Sequence, residues 1–483
     1  MTNTIPYDRN TLRPRWLHIG FGAFARAHIL MVLHRALSAP QVAERDWGVT
    51  VARLNSGRAE LDALEVEGCL YHVAETDDAG VNLHAVAPVV GTLHPARDGI
   101  DAIPDHIAAA ELELITLTIT EKGYCLADGG LNQTDAAIQA DLDDPAKPRS
   151  AIGVLVEGLA RRKARGHGAL TIMSCDNLME NGHLTRAAVT QFARLREPEL
   201  ADWIDANVAF PSSMVDRIVP AMTEAAHDRL ASHLGRRDPN GVVCEPFLQW
   251  AIENDFAGAR PPLELGGAQW VKEIQPWEAM KLRMLNGSHS FLALLGGIAG
   301  HATIDACMGD KVFAEAVERL MLKEQAPTLP PLPEADIPAY SRQLLARFSN
   351  SQLKHRTAQI ASDTSQKLPQ RFMVSIAWHL DKGSSWRLSA LVLAGWMRWI
   401  DGVDEAGKEL PINDPLADRL RAISNASTSK QRVEAMLDLR EVFPQSLASR
   451  PEFRTGLEQA YGAICSLGAR EAVARAMSEE TAG

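Results

Sequence analysis

Lysine, asparagine and histidine stand at positions 281, 286 and 289 of the stretch MKLRMLNGSHSFLALLGG, Met280 to Gly297. Among them Met280, Leu282, Met284, Leu285, Phe291 and Leu292 are apolar filling. A helix that only packs has no use for an ammonium, an amide and an imidazole. At about 100° per residue the three fall within an arc of roughly 140°, so they can line one wall of a cleft. Together they offer a proton donor, a hydrogen-bond donor and a positioning ring. Each alone has a plainer account, because a lysine can snorkel and a core histidine can simply be hydrogen-bonded.

Two further polar clusters follow apolar, β-prone runs. Thr120, Glu121, Lys122 and Tyr124 close LELITLTIT, and Asp176, Asn177, Glu180, Asn181 and His183 follow ALTIMSC. Open α/β sheets bind ligands at the carboxyl ends of their strands. One such cluster can be a cap or a turn; two of them with the polar helix point to a shared site.

LHIGFGAFARAH adds a glycine-rich turn between a strand and a helix, the context of a dinucleotide fingerprint. Gly20 and Gly22 allow a tight turn and close approach of backbone to a pyrophosphate, and the helix N-terminus offers free N–H groups to the anion. Ala25 takes the third glycine position and still permits close packing. The expected cofactor contacts are Gly20, Phe21, Gly22, Ala23, Phe24, Arg26, Asn55, Thr120 and Asn177. After the second strand, ARLNSGRAE has no acid before Glu60 to hold ribose hydroxyls, and Arg53 and Arg58 stand nearby instead. The choice of NAD or NADP stays open on these residues.

The elements that must position these groups change character along the chain. Trp16–Gly20, Trp47–Leu54, Leu112–Thr120 and Ala169–Cys175 read as buried strands between helical stretches, which predicts a parallel sheet with helices on both faces. From about Glu245 helical patterns dominate, including CEPFLQWAIENDF, and the proline-rich segment Ala326–Tyr340 reads as a loop. The expected fold is an α/β Rossmann-type domain over residues 1–240 and a mostly α-helical substrate domain over 241–483. A formal net charge of −12 without a long basic run argues against nucleic acid. Six scattered cysteines without a CxxC pair fit a reducing compartment. The N-terminus lacks a signal peptide's apolar core, and no apolar run is long enough to span a bilayer. A cytoplasmic protein that binds no membrane is expected.

GFGAFARAH, TLTITEKGYC, MSCDNLMENGH, FPSSMVDRIVPA, CEPFLQWAIENDF and MKLRMLNGSHS together resemble the polyol-specific long-chain dehydrogenases, the mannitol dehydrogenase family, along nearly the whole chain. EQAPTLP, RFSNSQLKHRTAQIASDTSQKLPQR, GSSWR and AGWMRWIDGVDEAG look most like its fructuronate-reducing branch. The resemblance implies metal-independent hydride transfer between a nicotinamide and a ketone or secondary alcohol, here D-fructuronate to D-mannonate in hexuronate breakdown. Alternatives are tagaturonate, or neutral polyols such as mannitol, arabinitol or altritol. By similarity Lys281 is the general acid/base, Asn177 and Asn286 hold the reacting oxygen, His289 positions substrate and Glu121 exchanges protons with solvent. Such a lysine needs its pKa brought down from about 10.4. Asp216 and Arg217 are expected to help hold the seam between domains, with Asp216 also reaching a substrate hydroxyl. A uronate also needs a cation for its carboxylate; among His355, Arg356, Lys367 and Arg371, the expected pair is Arg356 and Lys367. Two departures stand out: Ala25 replaces a common histidine, and Gln359 replaces an arginine of some polyol dehydrogenases, which favours the uronate branch. The resemblance suggests a monomer.

Overall fold

Trp47–Ala52, Leu114–Leu117 and Leu170–Ser174 are buried at every position, as strands covered on both faces must be. In the computed structural model, which describes residues 5–43, 46–127 and 129–480, they join three more strands in one sheet. All neighbours run parallel, in the order Val208–Ala209, Leu170–Ser174, Leu114–Leu117, Arg13–Ile19, Trp47–Ala52, Val89–Leu93. This is the strand order of a dinucleotide-binding Rossmann fold. The order reverses between Arg13–Ile19 and Leu114–Leu117, and Ile19 stands opposite Leu117. Gly20 and Thr118 therefore leave the sheet side by side at the switch point. Side chains alternate between the faces: Trp16 enters a core with Met31, Trp47 and Trp250, while Leu17 enters another with Ile115, Leu155 and Phe192.

The four expected strands are present, three of them shorter than expected and the first starting earlier, at Arg13. Val89–Leu93 and Val208–Ala209 escaped the sequence pattern, as did the hairpin Tyr71–Asp77 and Gly80–Val86. One expectation is corrected outright. Within CEPFLQWAIENDF, Gln249–Glu253 is a strand, antiparallel to Ser213–Asp216 and parallel to Ala268–Val271. Trp250 and Ile252 gave the segment an apolar content that spacing alone assigned to a helix; cross-strand pairing decides otherwise. The domain boundary moves with it. The chain divides into compact units Met1–Gln275 and Pro276–Gly483, because those strands belong to the first unit's second sheet, beyond the boundary expected at 240.

Arg217 is likewise an internal brace of the first unit. It donates to the carbonyls of Glu245 and Ala27 and pairs with Glu75, all of which belong to the unit Met1–Gln275. Burial opposes the charge on Glu75, yet His84, Arg217 and Arg35 bring its pKa down to about 2.

Among its described residues the second unit's regular elements are all helices, joined by loops. Arg387–Trp399 is buried along nearly its whole length, and Glu324 caps its start by accepting from the Leu388 and Ser389 N–H groups at 2.8 Å. Pro451–Leu467 and Ala469–Glu480 are separate helices, parted at Gly468. The stretch after Gln275 winds unusually: Gln275–Met280 is α, Lys281–Asn286 is π, Gly287–Phe291 is α and Leu292–Gly296 is π. Among the described residues no helix is long and apolar enough to cross a membrane.

Candidate active site

The glycine turn is held from below by buried side chains. Trp16 Nε1 donates to Thr116 Oγ1 at 2.7 Å, and the Thr116 hydroxyl donates to His18 Nδ1, also at 2.7 Å, because His18 Nε2 faces the Gly20 carbonyl, which can only accept. His18 then carries its proton on Nε2, which points at the Gly20 carbonyl at 3.2 Å and at Thr118 Oγ1 at 3.0 Å. The Thr118 hydroxyl donates to the same carbonyl at 2.5 Å. Burial pushes the His18 pKa down to about 4, which keeps the ring neutral and this pattern intact. His18 and Thr118 escaped the sequence reading, where both look like ordinary strand residues.

Gly20 and Gly22 have different reasons for being glycine. Gly20 has φ +107°, and a Cβ there would lie 2.0 Å from the Thr118 carbonyl oxygen. A Cβ on Gly22 would meet nothing closer than 4.0 Å within the protein. The space over Gly22 is thus left open by the fold. Gly22 is also the N-cap of Ala23–Ala27 and supplies no side-chain cap, so the first N–H groups of that helix remain available to an anion. Ala25 is fully buried, which explains the small third position. These features fit a pyrophosphate against the turn.

Of the other expected cofactor residues, Phe21 is buried while Ala23 and Phe24 are partly exposed. Arg26 is anchored to protein: it donates to the Asn240 carbonyl at 2.7 Å and the Gly22 carbonyl at 3.3 Å, and burial lowers its pKa. It braces the turn. Asn55 is exposed in the loop after Trp47–Ala52, and Arg53 there forms a long ion pair with Glu60 at 3.7 Å.

Asp176 joins two strand ends. Its carboxylate accepts from the Ile119 N–H at 2.9 Å, the Thr120 N–H at 3.0 Å and the Tyr124 hydroxyl at 2.8 Å. Thr120 is held at φ +62°, a strained conformation for a β-branched residue. Burial raises the Asp176 pKa against these hydrogen bonds. The neighbours Asn177, Thr120 and Glu121 are exposed, so the structure brings these three expected residues to one rim around a half-buried acid. Asn181 is structural: its amide is used by the Asp176 and Ser213 carbonyls and the Ser213 N–H. Asp216 is buried in Ser213–Asp216.

In the second unit the π winding changes the relation of Lys281 to Asn286. Hydrogen bonding in an i to i+5 pattern stacks residues five apart, where an α-helix would leave them well separated. His289 follows on the next turn, buried, with the ring of Phe348 at 4.7 Å and that of His355 at 5.4 Å. Burial lowers its pKa, and the charges of His355, Arg347, Arg371 and Lys367 add to the effect. Of the pair expected to hold a carboxylate, Lys367 belongs to this group but spends its ammonium on the carbonyls of Ile360 and Ser362. Arg356 is exposed at the start of Thr357–Ile360.

The switch-point turn, open over Gly22 and backed by an uncapped helix, places the protein in the Rossmann dinucleotide-binding class. Residues 14–265 match the mannitol dehydrogenase Rossmann domain and residues 273–465 the mannitol dehydrogenase C-terminal domain. The chain is 43% identical to D-mannonate oxidoreductase of Escherichia coli strain K12, over 97% of this chain and 96% of that protein. It is 45% identical to an uncharacterised oxidoreductase of the same organism, YeiQ, over 97% and 95%. The structure of Pseudomonas fluorescens mannitol 2-dehydrogenase in a ternary complex with NAD and D-mannitol gives a TM-score of 0.83 at 33% identity, covering 98% of this chain and 96% of that one. The chain belongs to the mannitol dehydrogenase family.

Proposed function

We propose that this protein is an NAD-dependent oxidoreductase that reduces the keto group of D-fructuronate to the secondary alcohol of D-mannonate. One observation carries the reading: similarity to a D-mannonate oxidoreductase extends over 97% of the chain, and the chain keeps Lys281, Asn286 and His289 on its π-wound helix. A structural relative that holds NAD supports the choice of cofactor, as does the open backbone at Gly22.

NAD, when bound in its reduced form, supplies the hydride. The Gly20–Phe24 turn with the helix N-terminus would hold its pyrophosphate, and Asn55 and Thr120 would flank it. As hydride reaches the carbonyl carbon, charge develops on the oxygen. The Asn286 amide donates a hydrogen bond to that oxygen and stabilises the charge; the same role for Asn177 is what the family resemblance implies. Lys281 gives the oxygen its proton, and Glu121, exposed to solvent, is the group to which the resemblance assigns proton exchange with solvent. His289 orients the substrate, and a substrate hydroxyl is the role proposed for Asp216.

The test is NADH and NADPH oxidation with D-fructuronate, D-tagaturonate and D-fructose side by side. Rapid turnover of D-fructuronate with NADH is the expected result. Activity mainly on D-fructose would leave the residue roles standing but move the protein to neutral ketoses, the substrate class suggested by the mannitol and sorbitol dehydrogenase structures it resembles.

A further inference from the structure

Arg371 is a cation without an acid. It lies on Pro369–Met373, and Nη1 donates to the Asn286 carbonyl at 3.0 Å and to Ser290 Oγ at 2.7 Å. Both acceptors are neutral and sit on the helix that carries Lys281 and His289. Among the described residues Nε and Nη2 make no hydrogen bond, and no carboxylate forms an ion pair with Arg371 or with Lys367. Nearby, His355 has a buried Nδ1 without a hydrogen-bond partner, and Arg347 also acts on His289. Buried positive groups are normally matched by acids; Asp363 and Asp414 act on Lys367, whereas burial alone acts on Arg371.

We infer that Arg371 is the residue that binds the carboxylate of an acidic sugar, through the unused Nε and Nη2 edge of its guanidinium. The fork of two parallel N–H groups matches the two oxygens of a carboxylate. Nη1, fixed to Asn286 and Ser290, holds the plane still, so little rotamer freedom remains to be lost on binding. This replaces the expected clamp of Arg356 and Lys367. Arg356 is exposed, and Lys367 turns its ammonium to carbonyls. The inference rests on the reading of the site as a sugar-acid reductase, because only an acidic substrate brings the missing charge.

The experiment compares wild type with Arg371→Gln and Arg371→Lys in two ways. The first is the ratio of kcat/KM for D-fructuronate to that for D-fructose. The second is calorimetric binding of D-mannonate and of D-mannitol in the presence of NAD. Arg371→Gln should lower the ratio about 100-fold, the size of losing one partner of a desolvated charge pair. It should weaken D-mannonate far more than D-mannitol. Arg371→Lys, which keeps the charge but not the fork, should fall between. Equal losses on acid and neutral ligands, in whichever variant folds, would mean that Arg371 only supports the helix and would overturn the inference. Wild-type protein that reduces no hexuronate would overturn the proposed reaction; tighter binding of D-mannonate than of D-mannitol, lost in Arg371→Gln, would still uphold the carboxylate site.

Discussion

Gly20 and Gly22 are two residues apart and chemically identical, yet the structure gives them separable consequences. Gly20→Ala would force a Cβ to within 2.0 Å of the Thr118 carbonyl at a φ of +107°, so it should lower thermal stability by several degrees and disturb the fold around the turn. Gly22→Ala meets no protein atom within 4.0 Å. Its melting temperature should stay within a degree or two of wild type, while its Kd for NADH rises tenfold or more, read by fluorescence titration. A Gly22→Ala protein with normal NADH affinity would show that nothing approaches that backbone. The sequence marks both glycines, because the fingerprint is local: strand, turn and helix lie within a dozen residues. It cannot rank them, since the atom that excludes a Cβ from Gly20 belongs to Thr118, about a hundred residues away. Arg371 was hidden for the same reason. A charge run shows that cations are present, but only the fold reveals which cation lacks an acid.

At the scale of elements, the helix after Gln275 is where periodicity misled the reading most usefully. An α-helical count spreads Lys281 and Asn286 over an arc of roughly 140°, whereas the π-turn Lys281–Asn286 stacks them. Nothing in KLRMLN announces a π-turn, since its residue types suit either winding. A π-turn contains one more residue than the α-turn it replaces, so deleting Leu282 should let the segment close as an α-helix with the lysine and the amide four apart, still on one face. The expected outcome is a folded protein, by circular dichroism and melting, that keeps most of its kcat and its NADH affinity. A kcat lost while the fold is intact would show that the π-turn does more than bring the lysine and the amide to one face. Gln249–Glu253 failed in the opposite direction: its apolar residues were counted correctly and given the wrong period, because strand partners at Ser213–Asp216 and Ala268–Val271 are invisible to a local window.

Across the molecule, several histidines are kept neutral by burial, and this sets how the fold responds to acid. His18, His34 and His106 each have a pKa pushed down to about 4, with desolvation the main cause. Unfolded, each would titrate near 6.5. A base whose pKa is depressed by folding gives up stability as it is forced to protonate. The contribution is complete above about pH 6.5 and is lost as pH falls through the interval down to about 4. At pH 5 the loss is on the order of 2 kcal/mol per histidine. The carboxylate of Glu75, drawn down to about 2, acts later, because its share is lost only below the ordinary range near 4.5. Melting temperature should therefore be level between pH 7 and 8 and fall steeply from pH 6 to 4.5, before the carboxylates titrate. His106 is the clean probe, since burial is the cause of its shift and its buried Nε2 has no hydrogen-bond partner. In His106→Gln the drop in melting temperature between pH 7.5 and 5 should be smaller than in wild type. A wild-type melting temperature that stays flat to pH 5 would mean that these rings take up protons without strain, and with it the argument that a neutral His18 secures the Gly20 turn would fail.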